Sequence, residues 1–344
     1  MSNLQQQLSH LINTKTKPLG ALGLLEDIAL QAGIIQQTTN PSIQQPHIVV
    51  FAADHGIAAT GLVNPYPQVV TAQMVLNFLS GGAAINVFCR QHDIGLTIVD
   101  AGVNHFFEEY LFNKDFIHLK MAMGTKDYRE TNAMSSEEAI NAIENGKAII
   151  QKISASGCNC IGFGEMGIAN TSSASLIMSA ITGIPLAQCV GRGTGANDAQ
   201  LQTKLYTLQK VYEHHHLDIL QGNAIELLSK TGGFEIAMIT GAFLQAAAEK
   251  MIIVVDGFIT TAALLLARLI NPGVIDYCIF AHTSGESGHT RMLEYLNATP
   301  LLNLGMRLGE GTGAALAIPL IKSAVLFLNE MASFETANVS NATA

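Results

Sequence analysis

Two carboxylates set between glycines are the side chains of this sequence best suited to chemistry. Leu308-Gly309-Glu310-Gly311-Thr312-Gly313 places Glu310 just ahead of an apolar helical stretch. Glycine lets a backbone approach a ligand closely. A helix start offers free N–H groups to an anion. A carboxylate fixed at such a place suits general base work. Gly162-Phe163-Gly164-Glu165-Met166-Gly167, followed by Asn170-Thr171-Ser172-Ser173, repeats the arrangement around Glu165. The plain alternative for each is a tight turn with a polar cap, and both readings stay open at this point.

A third run, Gly191-Arg192-Gly193-Thr194-Gly195, lacks the G-x-G-x-x-G spacing of a dinucleotide fingerprint. Its glycines suit contact with a phosphate or a ribose. Lys204 follows on the next predicted helix and is either the matching positive charge or a solvated helix lysine. His55, His282 and His289 lie near predicted strand ends, with Asp54 and Glu286 close in sequence. No H-x-x-x-H or H-E-x-x-H spacing joins them, and His214-His215-His216 is read as part of a surface helix, so no metal site is expected. Asp54, Asp100 and Asp256 each follow a strand and read as caps of the next turn. A metal-dependent hydrolase built on Asp54, His55, His282 and His289, and a non-catalytic nucleotide-binding protein, are the two competing function classes.

The elements that must position these residues follow from apolar patterning. His47 to Ala53, Ile94 to Val99, Cys158 to Phe163, Ile252 to Val255 and Tyr277 to Ala281 read as buried strands. In the first of them β-branched residues run on with little alternation, as in strands covered on both faces. The strand from Cys158 is expected to end before a Gly164-to-Gly167 turn. Helices are expected over 70–79, 83–91, 135–154, 170–182, 201–214, 235–250, 259–270, 286–296 and 311–331. Residues 1–36 read as two helices broken at Lys17-Pro18-Leu19-Gly20, and the tail after Ala332 reads as frayed. Strand, glycine turn and helix in repetition make an α/β fold with an open parallel sheet. Its carboxyl edge, where the acidic and glycine residues sit, is where ligands bind in such sheets.

Composition limits the partners. The 344 residues are 49% hydrophobic and 13% charged, with 31 glycines and no tryptophan. A typical soluble domain is about 25% charged, so much of this chain is expected to be buried in a core or a subunit interface. The net charge is −9 without a Lys/Arg stripe, which argues against a nucleic-acid partner. Five unpaired-looking cysteines fit reduced thiols and a cytoplasmic protein. The first residues resemble no signal peptide. The most apolar stretch, Thr312 to Leu328, is broken by Pro319 and Lys322 and is shorter than the roughly 20 residues of a membrane span.

Nine segments in order make the pattern specific. They are KPLGALGLLE (17–26), FAADHGIAATGL (51–62), YPQVVTAQMVLNFLSGGAAINV (66–87), DAGV (100–103), GFGEMGIANTSSAS (162–175), GRGTG (191–195), GGFEIA (232–237), VDGFITTAA (255–263) and LGMRLGEGTGAALAIPLI (304–321). With them the chain resembles the nicotinate-nucleotide–dimethylbenzimidazole phosphoribosyltransferase family of cobalamin biosynthesis.

The resemblance implies a Rossmann-like sheet in a large domain (37–313). It also implies a small helical lobe, formed by residues 1–36 and part of 314–344, a homodimer, and no cofactor. It implies transfer of the 5-phosphoribosyl group from nicotinate mononucleotide to 5,6-dimethylbenzimidazole, giving α-ribazole 5′-phosphate and nicotinate. By the same resemblance Glu310 is the catalytic base and Glu165 lines the site. Lys204 and Ser284 match substrate-binding positions, read together with Gly167, Gly193, Gly195, Gly309 and Gly311. Pro67, Gln68 and Met74 belong to the segment expected to form the base pocket. Gly20-Ala21-Leu22-Gly23 and Ser284-Gly285-Glu286-Ser287-Gly288-His289 depart from the family's usual GSLG and SAEPGH.

Overall fold

Apolar side chains of alternate strand residues face opposite ways, and in this chain both faces are covered. In β1 (His47–Ala53), Val49, Phe51 and Ala53 join one buried cluster while Ile48, Val50 and Ala52 join a second. In β5 (Ile252–Val255), Ile253 and Val255 join the first and Ile252 and Val254 the second. Each valine, isoleucine or phenylalanine among them, once buried, contributes roughly 1.5–3 kcal/mol.

The computed structural model describes residues 3–193, 195–220 and 222–340. Thr194 of the glycine run and residues 341–344 of the expected lobe lie outside the described residues. In chain order the elements are α1 (Asn3–Asn13), α2 (Leu24–Ile35), β1, α3 (Val70–Leu79), α4 (Ala84–His92), β2 (Gly95–Gly102) and β3 (Phe116–His118). Then come α5 (Ser136–Ala155), β4 (Cys160–Met166), α6 (Asn170–Thr182), α7 (Leu186–Cys189), α8 (Asp198–His214), α9 (Ala224–Thr231) and α10 (Phe234–Ala248). The chain closes with β5, α11 (Phe258–Ile270), β6 (Cys278–Phe280), α12 (Ser287–Tyr295) and α13 (Thr312–Glu330).

The strands form one parallel sheet in the order β3-β2-β1-β4-β5-β6. That is the doubly wound arrangement, with its switch point between β1 and β4. The α/β reading therefore holds.

Some details differ from the sequence reading. β4 runs through Met166, so Glu165 stands on the strand and pairs in register with Phe51. Gly164 is therefore a strand residue and not a turn residue. At it and at Gly162, which lies on the strand as expected, other segments come close: Ile48 and Ala314 at Gly162, and the Glu310–Gly311 backbone at Gly164. The three-residue β3 and the four-residue α7 are too short to show an apolar period, whereas α9 was missed although Ala224, Leu227, Leu228 and Thr231 mark one buried face. The tail does not fray at once, because Lys15 and Ser333 form an antiparallel bridge and Phe334 N–H donates to Thr14 O at 3.0 Å.

α13 is a 19-residue apolar helix whose Ala314, Ala317, Ile318 and Ile321 are buried against the sheet in the same cluster as Ile48 and Val254. Leu8, Ile12, Ile28 and Ala29 of α1 and α2 join that cluster too.

Candidate active site

A cleft of about 830 Å³, part of it open solvent, lies over the carboxyl ends of β4, β5 and β6. Three strand-end segments wall it: Glu165 to Thr171, Asp256 to Thr260, and His282, Ser284 and Glu286. Val63 to Pro65, Arg192 to Gly193, Lys204 and Arg307 to Gly309 close the remaining sides. Two helix starts face into it, Asn170–Thr171 of α6 and Phe258–Thr260 of α11, and such ends favour an anion.

The Glu310 loop is built from left-handed backbone. Gly309, Glu310 and Gly311 have φ of 84°, 63° and 82°. Such φ is readily available to glycine and uncommon for glutamate, so Glu310 is held there by its surroundings. A methyl at Gly309 would strike Glu165 Oε1, and one at Gly313 would lie 2.7 Å from His282 Nε2 and 2.8 Å from Asp256 Oδ1. Leu308 and Gly309 reach the cleft wall, while Glu310 is buried at 4% exposure. Its Oε2 has no hydrogen-bond partner among the described residues. Burial, and then the nearby Asp256 carboxylate, push the Glu310 carboxyl up to about 7.

Glu165 is also buried, accepts from Asn170 Nδ2, and is raised well above the usual carboxylate range by burial. The charges of Glu235, Asp256 and Glu310 add to that effect. Asp256 caps no turn of its own. Its Oδ1 accepts the Ala314 N–H at 2.9 Å and lies 3.9 Å from His282 Nε2. It thereby pins the start of α13, and with it the Glu310 loop. Asp54 likewise reaches across to accept from Asn104 N–H at 2.8 Å, whereas Asp100 caps locally, accepting from Val103 N–H at 2.9 Å.

Lys204 is not a solvated helix lysine. It is 2% exposed, and its Nζ donates to Thr171 Oγ1 at 2.9 Å and to Gly191 O at 3.2 Å. Burial lowers it to about 8 against the opposing pull of Glu286. Gly193 packs beside Thr171 and Lys204, and Arg307 Nη1 donates to its carbonyl at 3.2 Å. Ser284 is fixed by its own N–H, which donates to His289 Nδ1 at 2.8 Å. Burial and the neighbouring His282 depress His289 to about 3, so the ring is neutral with its proton on Nε2, 3.1 Å from Thr261 Oγ1.

Glu165, Gly167, Gly193, Lys204, Ser284 and Gly309 therefore share one cleft. Gly195, with φ of 124°, is not one of its walls, and Gly311 is buried against Ile48. Pro67 is exposed and Met74 packs against the second apolar cluster. Gln68 donates to His55 O at 3.0 Å, and Thr71 Oγ1 accepts from Ile168 N–H at 3.1 Å. Those two bonds hold the 67–74 segment beside the turn after β4.

The histidine trio also departs from expectation, since His215 is buried and lies 2.7 Å from Tyr128 O. Among the described residues no group of three or more His, Cys, Asp or Glu side chains is placed to hold a metal. His55 lies against Glu235 instead, a partner 180 positions away. Thr171 and Arg307 lie within the segments quoted from the sequence, yet neither was singled out as a site residue, because their partners Lys204 and Gly193 are distant in sequence.

The comparisons with known proteins bear on the family and the fold. A family described as phosphoribosyltransferase matches residues 1–339. A protein of Dechloromonas aromatica named nicotinate-nucleotide–dimethylbenzimidazole phosphoribosyltransferase is 52% identical over 340 residues, covering 99% of this chain and 97% of its own. One of the same name from Photobacterium profundum is 50% identical, with 97% and 96% covered. The crystal structure of CobT from Thermus thermophilus superposes with a TM-score of 0.94 at 37% identity, covering 99% of this chain and 100% of that one. Matched along nearly its whole length, the chain belongs to the phosphoribosyltransferase family whose curated members are named nicotinate-nucleotide–dimethylbenzimidazole phosphoribosyltransferase.

Proposed function

We propose that the protein transfers the 5-phosphoribosyl group of nicotinate mononucleotide to 5,6-dimethylbenzimidazole or a similar aromatic base, with Glu310 as general base. The observation that carries the reading is a buried carboxylate with a free oxygen, raised to about 7, beside a cleft with an anion-binding end. A general base works best with a pKa near the operating pH.

The phosphate goes to the end formed by the α6 start, Gly193 and Lys204. The ring of the incoming base enters from the Pro67–Met74 side. One ring nitrogen attacks C1′ as the C–N bond to the pyridinium breaks. That electron pair returns to the pyridine ring, which leaves as nicotinate. The proton on the other benzimidazole nitrogen passes to Glu310. Attack opposite the leaving group turns the β-linked substrate into an α-linked product. Glu165, held by Asn170, orients the reactants by hydrogen bonding. The protein acts in the cytoplasm as a homodimer, with the end segments 1–36 and part of 314–344 forming a lobe.

The test is release of nicotinate from nicotinate mononucleotide with and without 5,6-dimethylbenzimidazole. Base-dependent release is expected. No release with any aromatic base would leave a nucleotide-binding protein on the same fold.

A further inference from the structure

His55 lies two residues past the end of β1 and is wholly buried, as is Glu235 at the start of α10. The His55 Nε2 lies 2.6 Å from Glu235 Oε1, and the other carboxylate oxygen has no hydrogen-bond partner among the described residues. On the far side of the ring, Nδ1 lies 3.2 Å from Ser173 Oγ in the first turn of α6. Ser173 Oγ is in turn 3.4 Å from the Tyr128 hydroxyl. The His55 carbonyl accepts the Gln68 side-chain amide at 3.0 Å.

Gly233 makes room for the ring, since a methyl there would stand 2.5 Å from Cε1 and 2.7 Å from Nε2. Stability alone does not call for this arrangement. Replacing a buried ionic pair by packed apolar side chains is often neutral or stabilising. What the ring supplies is direction, because it fixes hydrogen bonds at both nitrogens at once.

We propose that His55 and Glu235 are a positioning pair that locks one wall of the cleft to the segment behind it. The wall is the first turn of α6, reached through Ser173. The segment is that of Gln68, which lies outside the cleft's lining and is reached through the His55 backbone. Glu235 anchors the ring in the core and sets which way its nitrogens point. The pair touches no reacting atom. It sets the distance between the nucleotide end and the base end, and so acts on the binding of both substrates. This rests on the reading of the cleft given above.

The experiment compares the unaltered protein with the double variant His55→Phe/Glu235→Leu and the single variant Glu235→Gln. Thermal unfolding and circular dichroism are read beside steady-state kinetics in both substrates. The apolar double variant is expected to keep its Tm. Its KM for nicotinate mononucleotide and for 5,6-dimethylbenzimidazole should both rise, by about tenfold to a hundredfold, since misplacement by about 1 Å costs on that scale. Glu235→Gln keeps volume and a hydrogen bond but loses charge, so it should shift both KM values in the same direction by less. It also serves if the double variant does not fold. Unchanged KM values in a folded variant would overturn the proposal. If the unaltered protein turns nothing over, the function reading fails. The pair is then judged by Kd for nicotinate mononucleotide from calorimetry, where an unchanged value in the variants overturns it.

Discussion

Gly164 and Glu310 touch through their backbones. A methyl group on Gly164 would stand 2.6 Å from the Gly311 nitrogen and closer still to the Glu310 carbonyl. The glycine sits inside β4, one residue before Glu165, where a larger residue would pack well in any ordinary strand. Its absence of a side chain lets the Glu310 loop lie directly on the sheet. The strand that carries one buried carboxylate thereby sets the position of the other.

Gly164→Ala is therefore expected to push the Glu310 loop off the strand. Overpacking of this kind costs about 1–3 kcal/mol of stability. Turnover should fall by more than stability implies, on the order of 10²-fold, because the base is displaced by about an ångström. The check is kcat on protein shown by circular dichroism to be folded. Native turnover in a folded variant would mean that the contact does not position Glu310.

Glu310 itself predicts a pH profile. The ionised form is the base, and burial together with Asp256 holds the carboxyl near 7. The kcat should rise with pH through about 7 and then level off. Glu310→Gln should lower kcat on the order of 10²-fold or more and abolish that limb. The sign for stability is the reverse. The folded pKa lies above the unfolded value of 4.5, so the group's contribution is fully present below 4.5 and is lost as pH rises through 7. At about 1.4 kcal/mol per pH unit between 4.5 and about 7, that loss is roughly 3.5 kcal/mol as an upper figure. Glu310→Gln should thus be more stable than the unaltered protein at pH 8, and similar to it at pH 4. A Tm difference that does not vary with pH would show that the carboxyl is not raised.

The sheet and most helices were legible because their apolar runs are local, as in His47–Ala53 and Phe258–Ile270. Glu310 was legible for the same reason, since its glycines and its helix lie within a few residues. What the sequence concealed is non-local. Gly164 looks like a turn glycine until Glu310 is placed against it from 146 positions away (310 − 164). Asp256 looks like a turn cap, yet its carboxylate serves Ala314. His55 looked like a metal-ligand candidate, whereas its partner is Glu235. A spacing rule covers one element at a time, and each of these contacts joins two distant ones. Lys204 could be read either way from sequence, because a helix lysine declares its face only once the neighbouring helix is known.

That lysine gives the last prediction. Two of its three donors are committed, to Thr171 Oγ1 and Gly191 O, and the third is available to a phosphate at the α6 start. A hydrogen bond to a charged group contributes about 1.5–3 kcal/mol, and each 1.4 kcal/mol is tenfold in affinity. Lys204→Met should therefore raise KM for nicotinate mononucleotide by roughly tenfold to a hundredfold and leave KM for the aromatic base nearly unchanged. That split separates it from the His55–Glu235 pair, which should move both. Burial holds the ammonium at about 8, so the unaltered protein should lose affinity for the nucleotide as pH rises through 8, and the variant should not. Stability runs the other way. With the folded pKa below the ordinary 10.5, the charged lysine is a cost absent above 10.5 and complete once pH has fallen through 8. The Met variant should gain Tm relative to the unaltered protein over that range. Equal shifts in both KM values, or a nucleotide KM flat across pH 7 to 9 in the unaltered protein, would remove Lys204 from the phosphate end of the cleft.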